Sequence, residues 1–247
     1  MQLQRTRFGK DIVCEVARPP RASHKALLLI GGLPSLPSKP QLLEYYANKG
    51  YWVFMPRIRG TWESGGEFLQ YSPEVDHQIV INGIIKGWRV VWTGEKFVLK
   101  PKHIDVIGGS FGGTAAVLLS ALTEVRKIVA FAPVIDWTVE SKGEPHVKFK
   151  SFIREAYGMA YRGDSKNLDK LFKGEIYDPA TASGLVGKKM LIVHAKDDEI
   201  VPYEPVVGFA DKHSAKLVLR EKGGHFGLSS AGKGRNRTLV EQFLNIR

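Results

Sequence analysis

A serine stands among four glycines in the stretch "GGSFGG" at 108–113. Gly108, Ser110 and Gly112 fit the pattern G-x-S-x-G, which places a serine on a sharp turn between a strand and a helix. Such a turn exposes the hydroxyl above the sheet and directs the N–H of Phe111 to where negative charge develops on a substrate oxygen. The pattern predicts a nucleophile at Ser110 and an oxyanion donor at Phe111; an ordinary tight turn is the alternative.

The elements around this serine alternate between strand and helix patterns. Continuous apolar runs predict strands buried on both faces in "KALLLIGG", "YWVFMP", "HIDVIGG", "KIVAFAPV", "MLIVHA" and "AKLVLRE". Helical patterns occupy "KPQLLEYYANKG", "SPEVDHQIVINGIIKGW", "TAAVLLSALTEV" and "NRTLVEQFLNI". "DIVCEVARP" predicts an early strand that could run antiparallel, and "RVVWTGEKFVLKP" a short hairpin. The alternation predicts an α/β fold with a mostly parallel, twisted sheet and helices on both faces.

The length of 247 residues, 43% of them hydrophobic, is enough for one large domain. We expect a single domain over 1–247. Between about 137 and 187 the pattern is less regular and mixes charged with aromatic residues. This segment predicts a small helical cap inserted over the sheet.

Two later segments, taken with the serine turn, resemble the α/β-hydrolase superfamily. "HAKDDEIVP" at 194–202 is similar to the family's H-G-x-x-D-x-x-V-P segment, with Ala195 in place of the glycine. "GGHFG" at 223–227 is similar to the loop that carries the catalytic histidine. The resemblance implies a catalytic acid at Asp198 and a base at His225. It also implies the α/β-hydrolase fold.

Other carboxylates and histidines compete for these roles. Asp197 is adjacent to Asp198, and Asp136 in "PVIDW" also follows a strand, so both stay open as the acid. His194 is expected only to shape the acid loop. The remaining histidines lack the glycine-rich setting and are expected on the surface or in the core: His24, His77, His103, His146 and His213.

A serine hydroxyl becomes a good nucleophile only when a neighbouring base accepts its proton. His225 would be that base, and would then protonate the leaving group, while Asp198 orients the imidazole. Activity is therefore expected to rise as His225 loses its proton. The family resemblance places the second oxyanion donor near "GGLP", and we assign it to the N–H of Leu33. This chemistry requires no cofactor.

Within the superfamily, the chain most resembles small esterases and the catalytic domain of prolyl oligopeptidase-like serine hydrolases. The similar segments are "PRIRGTWESGG", "GGSFGG", "APVIDW" and "REAYG". Aromatic residues of the flanking loops and the cap are expected to line a substrate pocket, with ordinary packing as the alternative. They are Trp62, Trp137, Phe149, Phe152 and Tyr157.

The net charge of +11 is spread along the chain, without a block of five or six like charges. We interpret it as solvated surface and expect no nucleic-acid partner. No apolar run reaches the roughly 18 residues of a membrane span, and the first ten residues lack the apolar segment of a signal peptide. The single cysteine, Cys14, suits a reducing cytoplasm. Few asparagines and glutamines favour a thermophilic source.

No spacing of cysteine, histidine or acidic residues indicates a metal site, and no glycine-rich fingerprint indicates a nucleotide. The expected function is hydrolysis of small carboxylic esters with short to medium acyl chains, through an acyl-serine intermediate. An aminopeptidase or acyl-peptide hydrolase would use the same residues. A non-catalytic, basic α/β binding protein is the second alternative.

Overall fold

The computed structural model describes residues 3–141, 143 and 145–246. Ten strands lie in this part of the chain: β1 (Leu3–Phe8), β2 (Ile12–Ala17), β3 (Lys25–Ile30), β4 (Tyr51–Pro56), β5 (Trp88–Arg89), β6 (Lys96–Phe97), β7 (His103–Gly109), β8 (Val125–Phe131), β9 (Met190–Ala195) and β10 (Lys216–Arg220). The α-helices in the same residues are α1 (Pro40–Asn48), α2 (Pro73–Lys86), α3 (Phe111–Leu118), α4 (His146–Tyr157), α5 (Ser165–Phe172), α6 (Glu204–His213) and α7 (Gly234–Leu244).

Eight strands form the central sheet, in the order β1-β2-β4-β3-β7-β8-β9-β10. β1 and β2, and likewise β2 and β4, pair antiparallel. Every other neighbouring pair in this sheet is parallel. Parallel pairing brings the carboxyl ends of β3, β7, β8, β9 and β10 to one edge, where the loops that follow these strands can converge on a ligand.

Helices cover both faces of the sheet because its strands are apolar on both sides. In β3, Leu27 and Leu29 enter one core cluster together with Leu43 of α1. The alternate residue Leu28 enters the opposite cluster with Ile81 of α2. The continuous apolar runs of the sequence therefore lie between two helical layers, as expected for a buried parallel sheet.

The mostly parallel α/β sheet predicted from the sequence is confirmed, and two elements are additional to that prediction. β1 pairs with β2 at the antiparallel end of the sheet, although its sequence, "LQRTRF", is mostly polar and lacks a buried-strand pattern. α6 follows the β9 loop and buries Val206 and Phe209. The helix after the serine turn is also shorter than expected, since it ends at Leu118 and continues as a 3-10 turn.

Two helices, α4 and α5, lie between β8 and β9, within the predicted cap at about 137–187. The segment between these two helices contacts the loop after β4: Arg162 donates from Nη1 to Trp62 O (2.7 Å), and Thr61 pairs with Tyr161 in an isolated bridge. Residues 142 and 144 of the predicted cap, and residues 1, 2 and 247 of the predicted domain, lie outside the described residues.

Across the described ranges, each helix is too short or too polar to traverse a lipid bilayer.

Candidate active site

Ser110 occupies the turn between β7 and α3 in a backbone conformation that non-glycine residues rarely adopt, with φ 55° and ψ −125°. Its N–H donates to Phe131 O of β8 (2.8 Å), and its carbonyl accepts from the N–H of Gly113 (2.7 Å). Strain of this kind costs about 1–3 kcal/mol and persists only where surrounding contacts enforce it. Both contacts hold Ser110 at the carboxyl edge of the sheet.

The glycines around Ser110 permit close approaches of backbone to backbone. A Cβ atom at Gly112 would lie 2.3 Å from Gly31 O, in the loop after β3. A Cβ atom at Gly109 would lie 2.1 Å from Leu228 N, in the segment that follows the candidate histidine. Both distances are far shorter than any real carbon contact. The glycines therefore let two separate loops pack directly against the serine turn.

Asp198 and His225 meet at this same edge, each in the loop after a parallel strand. His225 Nδ1 lies 2.9 Å from Asp198 Oδ2, and the Asp198 side chain is fully buried. The other carboxylate oxygen accepts from the N–H groups of Ile200 (2.9 Å) and Val201 (3.0 Å). Because a carboxylate only accepts, His225 carries its proton on Nδ1 and leaves Nε2 free to accept another.

These contacts keep Asp198 ionised. Burial acts to raise the pKa of Asp198, but the hydrogen bond from His225 and the electrostatic attraction of its ring act in the opposite direction. The N–H groups of Val201 and Ile200 add to this effect, and the pKa of Asp198 lies below its ordinary value. An ionised carboxylate is what stabilises an imidazolium during general-base catalysis.

The competing carboxylates have other partners. Asp197 accepts from the N–H of Gly224 (2.8 Å), next to His225 in sequence, and this bond lowers the pKa of Asp197. Asp136 accepts from the N–H (2.9 Å) and hydroxyl (2.6 Å) of Thr138. Of the three carboxylates that the sequence left open, Asp198 is the one that contacts the imidazole. Asp197 instead anchors the loop that carries it.

His194 lies behind the acid, with no exposed side-chain surface. Its Nε2 is 2.9 Å from Val201 O and 3.5 Å from Asp198 Oδ2. Burial lowers the pKa of His194, partly offset by the Val201 carbonyl and the Asp198 charge. The neutral ring therefore donates from Nε2 to Val201 O, within the acid loop.

Within the described part of the chain, no direct hydrogen bond joins Ser110 to His225. The close approach of Gly109 to Leu228 nevertheless places the histidine loop against the strand end that carries Ser110. Catalytic hydrogen bonds are often long without substrate and tighten when it binds.

The two predicted oxyanion donors flank the serine. Phe111 is the first residue of α3, where a helix leaves its N–H groups unpaired. Gly32, next to Leu33, is so close to the turn that a Cβ atom there would lie 3.3 Å from Ser110 Cβ. Among the described residues, neither Leu33 N–H nor Phe111 N–H donates a hydrogen bond. Neither N–H group is therefore committed to a protein acceptor among the described residues.

Two aromatic side chains hold the loop that carries Leu33. The Tyr161 hydroxyl accepts from Ser35 N–H (2.9 Å), and Trp62 Nε1 donates to Ser35 O (3.2 Å). Tyr161 comes from the cap segment and Trp62 from the loop after β4. The loop is therefore fixed from two sides only two residues beyond Leu33. The sequence carried no local signal for this role of Tyr161.

A cleft of about 490 Å³ opens beside Ser110. Trp137 and Phe149, two of the residues that the sequence predicts in a substrate pocket, line it together with Leu33 and Phe111. Further residues line it that sequence reasoning did not assign to a pocket: Val134, Val139, Ser141, His146, Phe172, Ile200, Val201 and Pro202. No local sequence signal marks these further residues, because which side chains turn towards the cleft depends on how the cap helices and the loops after β8 and β9 pack.

The other predicted pocket residues lie elsewhere. Trp62 lines a neighbouring cavity of about 460 Å³, which shares Leu33 and Phe111 with the Ser110 cleft. Phe152 and Tyr157 line neither cavity. Phe152 is 45% exposed and packs edge-on against Tyr157, with 6.0 Å between ring centres. α4 buries Phe149 instead, and so turns Phe152 away from the cleft.

One protein family matches most of the chain. The sequence profile of the prolyl oligopeptidase family matches residues 36–244. No curated protein matches the chain significantly.

Solved structures with the same fold include an esterase, Pf2001, from Pyrococcus furiosus, with a TM-score of 0.67 and 18% identity over 99% of this chain and 89% of that one. Mouse α/β hydrolase domain-containing protein 10 has a TM-score of 0.61 and 14% identity, over 99% and 97% of the two chains. Est1E from Butyrivibrio proteoclasticus, solved with ferulic acid, has a TM-score of 0.62 and 16% identity, over 99% and 100%. The chain therefore belongs to the prolyl oligopeptidase family and is a serine hydrolase of the α/β-hydrolase type.

Proposed function

We propose that the protein hydrolyses small carboxylic esters through an acyl-serine intermediate on Ser110, with His225 as base and Asp198 as acid. One observation carries the proposal: His225 Nδ1 lies 2.9 Å from the buried Asp198 carboxylate, in a loop packed against the strained serine turn. The family match supports the same chemistry.

The first half of the reaction forms the acyl-serine. His225 Nε2 takes the hydroxyl proton of Ser110 as Oγ attacks the ester carbonyl carbon. The N–H groups of Leu33 and Phe111 stabilise the negative carbonyl oxygen of the tetrahedral intermediate. The carbon–oxygen bond to the alcohol then breaks, and His225 returns the proton to the departing oxygen.

Water completes the turnover. His225 takes a proton from a water molecule, whose oxygen attacks the acyl carbon, and then protonates Ser110 Oγ as the acid leaves. Asp198 keeps its negative charge throughout and stabilises the imidazolium formed in each half. Each step uses only this chain's side chains, its backbone N–H groups and water.

The lining of the cleft favours esters of apolar acids. Trp137, Phe149 and Phe172 present aromatic surface to it, and aromatic surface favours apolar groups. The similar esterase structures support this choice. The family match favours a second candidate, hydrolysis of aminoacyl or acyl-peptide amides by the same residues. We also propose a cytoplasmic protein without a nucleic-acid or membrane partner, since the positive charge is dispersed along the chain.

The decisive experiment measures hydrolysis of short-chain p-nitrophenyl esters by the purified protein and by Ser110→Ala. We expect turnover and labelling by a fluorophosphonate in the natural protein, and neither in the variant. Ser229→Ala, at an exposed serine near the histidine loop, is the matched control and should retain both.

A comparison with aminoacyl anilides separates the two candidates. Equal rates on esters and anilides would favour the peptidase. Absence of both turnover and labelling, with salt-dependent binding to DNA or RNA, would favour a binding protein instead.

A further inference from the structure

The Ser110 cleft has polar side chains that take no part in the catalytic steps, and His146 is one of them. Among the described residues that line it, the polar side chains are Ser110, Ser141 and His146, and the others are apolar. His146 is the first residue of α4, and 21% of its side chain is exposed. A substrate group that extends from Ser110 through this cleft therefore meets an imidazole on a largely apolar surface.

Two contacts fix the orientation of this ring. It lies flat on Phe172, with 4.1 Å between ring centres and an interplanar angle of 9°. Its Nδ1 lies 3.5 Å from Glu140 Oε1, and the same oxygen accepts the backbone N–H of His146 (3.1 Å). The 3.5 Å contact is longer than a hydrogen bond, but the negative carboxylate still favours the ring proton on Nδ1, because a carboxylate only accepts. Nε2 is left without a hydrogen-bond partner among the described residues.

The ring is neutral near pH 7, so that Nε2 offers a lone pair. Partial burial lowers the pKa of His146; the Glu140 carboxylate opposes this effect, and the positive charge of Lys150 adds to it. The net direction is downward from the ordinary value. A neutral imidazole with its proton on Nδ1 can only accept at Nε2.

We propose that His146 determines the substrate class: the cleft takes the flat aromatic acyl group of an ester, and Nε2 of His146 accepts a hydrogen bond from a hydroxyl on that group. The inference rests on the proposed function. The rings of Trp137, Phe149 and Phe172 supply the surface for an aromatic acyl group. A neutral hydroxyl suits this lining better than an ammonium group, whose charge would have to leave water.

Three methyl esters test this assignment: methyl 3-phenylpropanoate and its 4-hydroxy and 4-methoxy derivatives. The hydroxyl donates a hydrogen bond and the methoxy group does not. We expect the natural protein to show a kcat/KM for the hydroxy ester roughly five- to tenfold above that for the methoxy ester, the value of about one neutral hydrogen bond. The unsubstituted ester should fall near the methoxy ester.

His146→Phe keeps a ring on Phe172 but removes the acceptor, so the ratio of hydroxy to methoxy ester should fall to about one. His146→Gln, whose amide oxygen can accept, should restore part of the preference and serves if the Phe variant does not fold. His213→Phe is the matched control, because His213 also packs on a phenylalanine (Phe209, 4.4 Å) but lies outside the cleft. Its ratio should equal that of the natural protein.

A ratio near one in the natural protein, or a ratio that survives His146→Phe, would overturn the inference. So would a preference for a 4-aminomethyl ester over the hydroxy ester. These results leave the proposed function standing if p-nitrophenyl esters are still hydrolysed. If the natural protein neither hydrolyses any of these esters nor is labelled by a fluorophosphonate, both the proposed function and this inference would be overturned.

Discussion

Replacing Asp198 by Asn tests the candidate triad more directly than removing the nucleophile, because the chain offers matched carboxylates nearby. The side chain keeps its size but loses one acceptor oxygen. If the amide oxygen stays towards the N–H groups of Ile200 and Val201, which lie 2.9 and 3.0 Å from the present carboxylate, the amide N–H groups face His225 Nδ1. Two donors then oppose each other.

The expected loss follows from this conflict. To relieve the contact between two donors, the imidazole must either move its proton to Nε2, so that Nδ1 accepts from the amide, or rotate. In either case Nε2 cannot take the proton of Ser110. Flipping the amide restores an acceptor for His225 but sets amide donors against two backbone N–H groups. A triad that holds the wrong tautomer loses about 10⁴-fold in kcat, or about 5.5 kcal/mol of transition-state stabilisation.

The assay compares kcat on a p-nitrophenyl ester for Asp198→Asn, Asp197→Asn and Asp136→Asn. Asp197 accepts one exposed hydrogen bond from the histidine loop, donated by Gly224 N–H. Loss of this bond is worth about 0.5–1.5 kcal/mol. Asp197→Asn should therefore lose no more than about tenfold. Asp136→Asn should change less, since its hydrogen bonds are local, to Thr138.

Either of two results would refute this reasoning. Asp198→Asn could retain more than about a tenth of the natural kcat, which a lost tautomer does not permit. Alternatively, Asp197→Asn or Asp136→Asn could lose as much as Asp198→Asn. In that case another carboxylate would support His225 during the reaction.

Three further changes test the elements that hold the site. Tyr161→Phe removes the acceptor of Ser35 N–H and should lower kcat about two- to tenfold through the oxyanion loop; a change confined to KM in steady-state assays would contradict this role. Gly109→Ala should lower the free energy of unfolding in urea by at least about 1–3 kcal/mol. Gly227→Ala, where no atom lies within 4 Å of an added Cβ, should change it little, and equal effects would be inconsistent with the close approach. Burial lowers the pKa of His77 to about 3 in the folded protein. Below about pH 6.5 the unfolded chain therefore binds a proton that the folded protein takes up only near pH 3. The free energy of unfolding should therefore fall as the pH drops through this window, by at most about 1.4 kcal/mol per pH unit from this group. The free energy of unfolding of His77→Leu, measured by urea titration, should fall less steeply across the same pH range. Identical slopes for the two proteins would exclude His77 as the cause.

The sequence by itself determined the features that depend on local patterns. Buried strands such as β3 and β7 are visible as apolar runs because a strand covered on both faces has no polar side. The serine turn is visible because close backbone approaches at Gly109 and Gly112 leave no room for a side chain. The order of the motifs that contain Ser110, Asp198 and His225 is a property of the chain, and these motifs carried the family resemblance.

Only the tertiary structure decided which side chains meet. Asp197 and Asp198 are adjacent and chemically identical, and their difference arises from how the loop after β9 folds against the histidine loop. Phe149 and Phe152 lie on one helix, yet only Phe149 reaches the cleft, because α4 packs with that side inward. His146 carries no local motif at all. Such contacts join segments far apart in sequence, and local propensity contains no information about packing between them.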